Sequence, residues 1–80
     1  MTVKIYSARW CPYCQMAKRF LAEKGVEYSE VNIEELGMSR KDLQKMTGGT
    51  TVPQIIIDDK SIGGYDNLMA LVQSGELSLD

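Results

Sequence analysis

The sequence predicts an α/β fold: one four-stranded mixed sheet, with elements in the order β-α-β-α-β-β-α, flanked by three helices. Three observations predict it. An alternating apolar stretch, Thr2 to Ser7, gives way to a helical pattern over Gln15 to Lys24 and then to a second strand-like stretch, Val26 to Ile33. A strand–helix–strand unit of this length is a right-handed crossover, and it makes its two strands parallel. Downstream, Ile55-Ile56-Ile57 is a β-branched run suited to a central strand, and Asp58-Asp59 turns the chain back into a short edge strand, Lys60-Ser61-Ile62.

Each element has a local cause. In the first strand Val3 and Ile5 alternate with Lys4 and Tyr6, one pair facing a core and the other facing away. The first helix carries Met16, Ala17, Phe20 and Leu21 on one face and Lys18, Arg19, Glu23 and Lys24 on the other, and Gly25 is its stop. Val26, Tyr28, Val31 and Ile33 supply the apolar positions of the second strand, and Glu34 to Met38 is a loop. Ser39-Arg40-Lys41-Asp42 is a capping box with Asp in the usual place of Glu, and Met38 and Leu43 are spaced as a hydrophobic staple. The short helix that follows directs Leu43 and Met46 inward and ends at Gly48-Gly49, with Met38 and Met46, like Met16, read as core. Gly63-Gly64 breaks the edge strand. Asp66 is read as the cap of a last helix whose Leu68, Met69, Leu71 and Val72 pack inward before Gly75. The tail, Glu76 to Asp80, is read as frayed or loosely docked.

Composition bounds the function. At 80 residues, 44% hydrophobic and 25% charged, the chain has the make-up of one small globular domain, residues 1–80. A net charge of −2 carries no basic field of the kind that attracts nucleic acid. No apolar stretch is long enough to span a bilayer, and Met1-Thr2 leads into Val3-Lys4-Ile5-Tyr6 without a signal-peptide core, so a cytoplasmic protein free of membrane is expected. There are two cysteines and no histidine. A structural zinc site needs four Cys or His ligands, and a disulfide-stabilised secreted domain needs more cysteines, more widely spaced. Redox chemistry with no bound metal is what remains.

That chemistry is concentrated in Arg9-Trp10-Cys11-Pro12-Tyr13-Cys14. Two thiols three positions apart at the mouth of a helix can close a small disulfide ring with little backbone movement. The unpaired N–H groups of the first helical turn, and the positive end of the helix dipole, point at the first sulfur and favour a thiolate, the nucleophile of thiol–disulfide exchange. Pro12 suits the first helical position, where its missing N–H costs nothing. A strand–helix start with C-x-x-C at its turn reads as a thioredoxin-like redox motif. A pair of buried structural thiols is the other reading of the same residues.

Three segments together resemble the glutaredoxins: Cys11-Pro12-Tyr13-Cys14, Thr51-Val52-Pro53-Gln54 and Gly63-Gly64-Tyr65-Asp66. Their spacing matches that family over essentially the whole chain. The resemblance implies a thioredoxin-like fold with Cys11 as the nucleophilic thiol and Cys14 as the resolving thiol. It implies that Pro53 is a cis-proline bringing Val52 beside the sulfur, and that Tyr13, Thr51 and Val52 line a glutathione groove. Gly64, Tyr65 and Asp66 would hold the γ-glutamyl end through backbone N–H groups and the Asp, and Arg40 falls where the family meets the glycine carboxylate. The implied activity is reduction of protein disulfides and protein–glutathione mixed disulfides, with glutathione as co-substrate and no bound cofactor. The partners of such a monomer would be disulfide-containing or glutathionylated proteins, ribonucleotide reductase among them. One position departs from the pattern. Where the family carries a lysine three places before the first cysteine this chain has Ala8, and Arg9 is the candidate to supply the charge.

Plainer readings stand beside these. Taken locally, Pro53 would be an ordinary trans turn proline, since only about 5–6% of X–Pro bonds are cis. Arg40 with Lys41 would be a solvated first helical turn, and Tyr13 an exposed helix aromatic. Gly63-Gly64 would be a strand end, although beside a helix start it also forms an anion-friendly nest of N–H groups. Two other functions share the motif. One is a redoxin of the same fold recharged by thioredoxin reductase, whose relatives carry Trp-Ser-Gly-Phe-Arg-Pro where this chain has Ser61 to Asp66. The other is a dimeric carrier of a bridging iron–sulfur cluster, against which Pro12 argues.

Overall fold

The structure is a computed structural model that describes residues 1–78. The described residues form β1 (Val3–Ser7), α1 (Pro12–Glu23), β2 (Ser29–Asn32), α2 (Arg40–Thr47), β3 (Gln54–Ile57), β4 (Lys60–Gly63) and α3 (Tyr65–Gln73). The sheet order is β2-β1-β3-β4, with β1 and β2 parallel and the other neighbours antiparallel. This is the mixed sheet with three helices that the pattern predicts.

The register decides what meets what. β1 is central, paired from Lys4↔Ser29 to Ser7↔Asn32 on one side and from Val3↔Ile57 to Tyr6↔Gln54 on the other. Because the second pairing is antiparallel, the end of β1 and the start of β3 lie at the same edge of the sheet. The turn into α1 and the Val52-Pro53 segment therefore arrive side by side. At the opposite edge, Asp58 and Asp59 both take positive φ (49° and 66°), the two-residue turn whose twist matches a hairpin. Asp58 also ties this turn to the chain start, its N–H donating to the Thr2 carbonyl and its Oδ1 accepting from the Thr2 N–H, each at 2.8 Å.

The main core is Val3, Ile5, Ala17, Leu21, Ile55, Ile57 and Leu68. α1 and α3 pack on each other, and α2 lies against β3. The Ser39 box closes as expected: the Asp42 N–H donates to Ser39 Oγ and the Ser39 N–H to Asp42 Oδ2, each at 3.1 Å. Gly48 then ends α2 in the left-handed region at φ 86°, a conformation that costs a glycine nothing.

Several boundaries and faces differ from the pattern. α1 begins at Pro12, three residues before Gln15, because Cys11 caps it. β2 is shorter than Val26 to Ile33, since its pairing with β1 starts only at Ser29; Val26 and Tyr28 pack on the main core from outside the ladder. Tyr6, expected to face away, is buried, with the Lys4 ammonium 5.8 Å from its ring centroid and the buried Gln54 opposite it on β3. Met16 and Met46, expected in the core, are 44% and 61% exposed. The buried stripe of α1 is Cys14, Ala17 and Leu21, rotated away from Met16 because the helix start is tucked against the end of β1. In α2 the buried pair is Leu43 and Thr47, one turn apart, which leaves Met46 on the flank. The cap of α3 is Gly64 and not Asp66: Gly63 turns the chain at φ 99°, and Asn67 Oδ1 accepts the Gly64 N–H at 3.1 Å. Leu77 docks on the main core with its N–H on the Leu71 carbonyl at 3.1 Å. The part of the tail reading that concerns Leu79 and Asp80 lies outside the described residues.

Candidate active site

Cys11 is the N-cap of α1, with an extended backbone (φ −88°, ψ 111°) and Pro12 at the first helical position. The Cys14 N–H donates to Cys11 Sγ at 3.2 Å, the place that a Ser or Asp oxygen takes at most helix starts. A sulfur thus satisfies an N–H that the helix leaves unpaired, and it sits at the positive end of the dipole. The Cys11 thiol donates to the Val52 carbonyl oxygen at 3.5 Å, a contact created by the shared edge of β1 and β3. The Val52–Pro53 peptide is cis.

Both thiols are free and buried, Cys11 at 3% exposure and Cys14 at 0%. With Ala8 they form a small apolar cluster against Ile33 and Val52. Burial, first, and then the neighbouring Cys11 push the Cys14 thiol up to about 12. At neutral pH it is therefore a protonated thiol. Ala8, the departure from the family lysine, is 1% exposed and belongs to this packing. Arg9 is exposed, and its backbone N–H donates to Glu34 Oε1 at 2.8 Å.

A groove of about 630 Å³ opens next to the thiol cluster; neither cysteine lines it, but Val52, whose carbonyl accepts from the Cys11 thiol, does. Tyr13, Thr51, Val52 and Pro53 line it together with Gly64, Tyr65 and Asp66. The rings of Tyr13 and Tyr65 lie 6.1 Å apart at 35°, linking the starts of α1 and α3. Two helix N-termini thus open onto one groove, an arrangement that favours anionic groups. Arg9 and Arg40 are not among its lining residues; Arg40 is exposed at the first turn of α2.

Sequence reasoning passed over part of this wall. Gln54 is nearly fully buried and donates from Nε2 to the Thr51 carbonyl at 2.8 Å, pinning the loop before β3. Gly49 faces it, and a Cβ there would press into the Gln54 amide. Asn67 lines the groove while holding the Gly64 N–H. The signals were present: Gln54 closes the Thr51–Gln54 segment, and Asn67 stands three residues after Gly64, the spacing of a capping box.

The sequence model of the family described as Glutaredoxin matches residues 3–62. This chain belongs to the glutaredoxin family. Glutaredoxin 3 of Escherichia coli strain K12 is 47% identical over 75 residues, covering 94% of this chain and 90% of that protein. A glutaredoxin of Pseudomonas aeruginosa is 44% identical over 75 residues, covering 94% and 89%. Among solved structures, a crystal structure of a buckwheat glutaredoxin–glutathione complex superposes with a TM-score of 0.82 at 29% identity, covering 94% of this chain and 71% of that one. The solution structure of a Brucella melitensis glutaredoxin gives 0.75 at 40% identity, covering 95% and 83%. The fold is thioredoxin-like and the activity of the chain is thiol–disulfide oxidoreduction, in keeping with cell redox homeostasis. Among the described residues no group of three or more His, Cys, Asp or Glu could hold a metal ion, and no helix is long and apolar enough to cross a membrane.

Proposed function

We propose that this protein is a glutathione-dependent oxidoreductase that reduces protein–glutathione mixed disulfides and protein disulfides through Cys11 and Cys14. The observation that carries the reading is the groove that Val52, whose carbonyl accepts from the Cys11 thiol, lines together with the N-terminus of α3. A tripeptide thiol with a carboxylate at each end needs such a site: one end at the reacting sulfur, the other on unpaired helix N–H groups. In support, a buckwheat relative of the same fold has been crystallised with glutathione.

In the first step the Cys11 thiolate attacks the glutathione sulfur of a mixed disulfide. The S–S bond to the target breaks, the target leaves as a thiolate and takes up a proton, and glutathione stays on Cys11. A second glutathione thiolate then attacks the bound glutathione sulfur, restoring Cys11 and releasing oxidised glutathione. With a protein disulfide as substrate, Cys14 replaces the second glutathione, and the Cys11–Cys14 disulfide is afterwards reduced by glutathione. Thr51 and Val52 present backbone to the ligand, Tyr13 and Pro53 wall it, and Gly64, Tyr65 and Asp66 receive its γ-glutamyl end. Arg9 and Arg40 are assigned to the outer carboxylate on charge and exposure alone. Potentials of this class lie at roughly −200 to −230 mV, close to the glutathione couple, so the direction follows the thiol pool.

The test is NADPH oxidation coupled through glutathione and glutathione reductase, on a glutathione mixed disulfide. Activity lost in Cys11→Ser and retained in Cys14→Ser supports the reading. An unaltered protein that is inactive there but is reduced by thioredoxin reductase belongs to the alternative redoxin class, and one that purifies brown under anaerobic conditions to the cluster carriers.

A further inference from the structure

The resolving thiol has a chemical difficulty. Cys14 is fully buried and holds its proton tightly, yet in the dithiol route it must ionise to attack Cys11. Behind it lies a hydrogen-bonded chain that neither the cysteine motif nor the groove uses. Lys18 stands four residues after Cys14 on α1, one turn along the same face. Its ammonium is 2.8 Å from Glu30 Oε2 on β2, and the Lys18 side chain is 18% exposed. The same Glu30 oxygen accepts the Ser7 hydroxyl at 2.6 Å. Ser7 is 0% exposed, ends β1, and precedes Ala8 of the thiol cluster.

This chain fixes a charge. The Lys18 hydrogen bond, and then that of Ser7, hold the Glu30 carboxyl below its usual range, so it stays an anion and keeps Lys18 anchored. The charged or titratable groups facing the Cys14 thiol are Cys11, at the start of its own helix, and Lys18; the Ala8 backbone reaches it from the end of β1, while Ile33 and Val52 are apolar. Once Cys11 is tied up in a disulfide it carries no charge. Lys18, its ammonium paired with Glu30, is then the cation one helical turn from the thiol on the same face.

We propose that Lys18, held by Glu30 and Ser7, is a positioning residue that supplies the positive charge under which Cys14 ionises and closes the ring onto Cys11. Cys14 loses its proton and its sulfur bonds to that of Cys11. The bond from Cys11 to glutathione breaks, and the glutathione sulfur departs with the electron pair and takes up a proton. The two cysteines end as a disulfide and the glutathione as a reduced thiol. In reverse, glutathione attacks Cys11 and Cys14 leaves as the thiolate, so the same charge assists both directions.

The inference rests on Cys14 being the resolving thiol. The experiment loads Cys11 with glutathione and measures its release by Cys14 between pH 7 and 10, then measures reopening of the Cys11–Cys14 disulfide by glutathione, in unaltered, Lys18→Gln and Lys18→Arg proteins. Removing a charge one helical turn away, with about 5–6 Å between Cβ atoms, raises a thiol by roughly one unit. That leaves about tenfold less thiolate, offset by a nucleophile about threefold better at a Brønsted slope near 0.5. Both rates should therefore fall about threefold in Lys18→Gln across the pH range, with their ratio unchanged, and return in Lys18→Arg. Unchanged rates overturn the proposal. A change in one rate alone overturns it too, because that signals altered ring strain from a shifted helix. If the unaltered protein releases no glutathione through Cys14, the resolving role itself is wrong, and the proposal falls with it while the Cys11 reaction stands.

Discussion

The main core and the thiol cluster are both dry, but they use burial for opposite ends. In the main core, Ile5, Leu21, Ile55 and Leu68 fill the space between the sheet and α1 and α3, and removing them from water is the stabilising term. The thiol cluster has three small buried residues, Ala8, Cys11 and Cys14, with Ile33 and Val52 at its rim. Burial there adds little apolar area, and instead it sets proton affinity: the Cys14 thiol is pushed up to about 12 while Cys11, at the helix cap, receives an N–H. The difference teaches where to look for function in a small domain. A buried patch too small to stabilise much, but rich in ionisable groups, is kept for its chemistry.

The comparison is broken most sharply by Cys11→Ser. Turnover in the glutathione-coupled assay should fall roughly a thousandfold or more, since the proposed mechanism loses its nucleophile. Stability by urea titration should move by no more than about 1 kcal/mol, because a serine oxygen can still accept the Cys14 N–H as a helix cap. Leu21→Ala does the reverse. It should cost about 2–5 kcal/mol by lost burial and a cavity, a large share of the stability of so small a domain. Turnover per folded molecule, measured well below the unfolding midpoint, should stay within about twofold.

A third outcome concerns alkaline pH. The folded protein holds the Cys14 proton more tightly than the unfolded chain, whose thiol titrates near the ordinary 9.0. The contribution is therefore fully present below about pH 9 and is lost as pH rises toward about 12. Melting temperatures of the reduced protein should fall through that window more steeply than those of Cys14→Ala, and equal slopes would sink the assignment. The smallest effect belongs to Ser39→Ala, far from both clusters in role. Losing its capping box at the start of α2 should cost about 1 kcal/mol and leave turnover unchanged.

Much of this was legible in the chain. Element order followed from local periodicity, Gly48 and Asp58-Asp59 marked turns that only unusual backbone angles allow, and Ser39 with Asp42 announced a helix start. Cys11, with Pro12 behind it, told that a thiol would sit at a helix N-terminus. Such features depend on neighbours a few residues apart, and short-range sterics and hydrogen bonds decide them. Which way a side chain faces is another matter. Met16 and Ala17 are adjacent and both apolar, and only the packing of α1 against the end of β1 puts one outside and the other in the core. Ala8 is buried and Arg9 exposed for the same reason. The meeting of Ser7, Glu30 and Lys18, and of Cys11 with Val52, joins residues 12 to 41 positions apart. No local pattern encodes such meetings, because they arise from strand register, a property of the whole sheet. The sequence by itself determined the elements, the turns and the cysteine pair at the start of a helix; the tertiary structure decided which charges and carbonyls that pair faces.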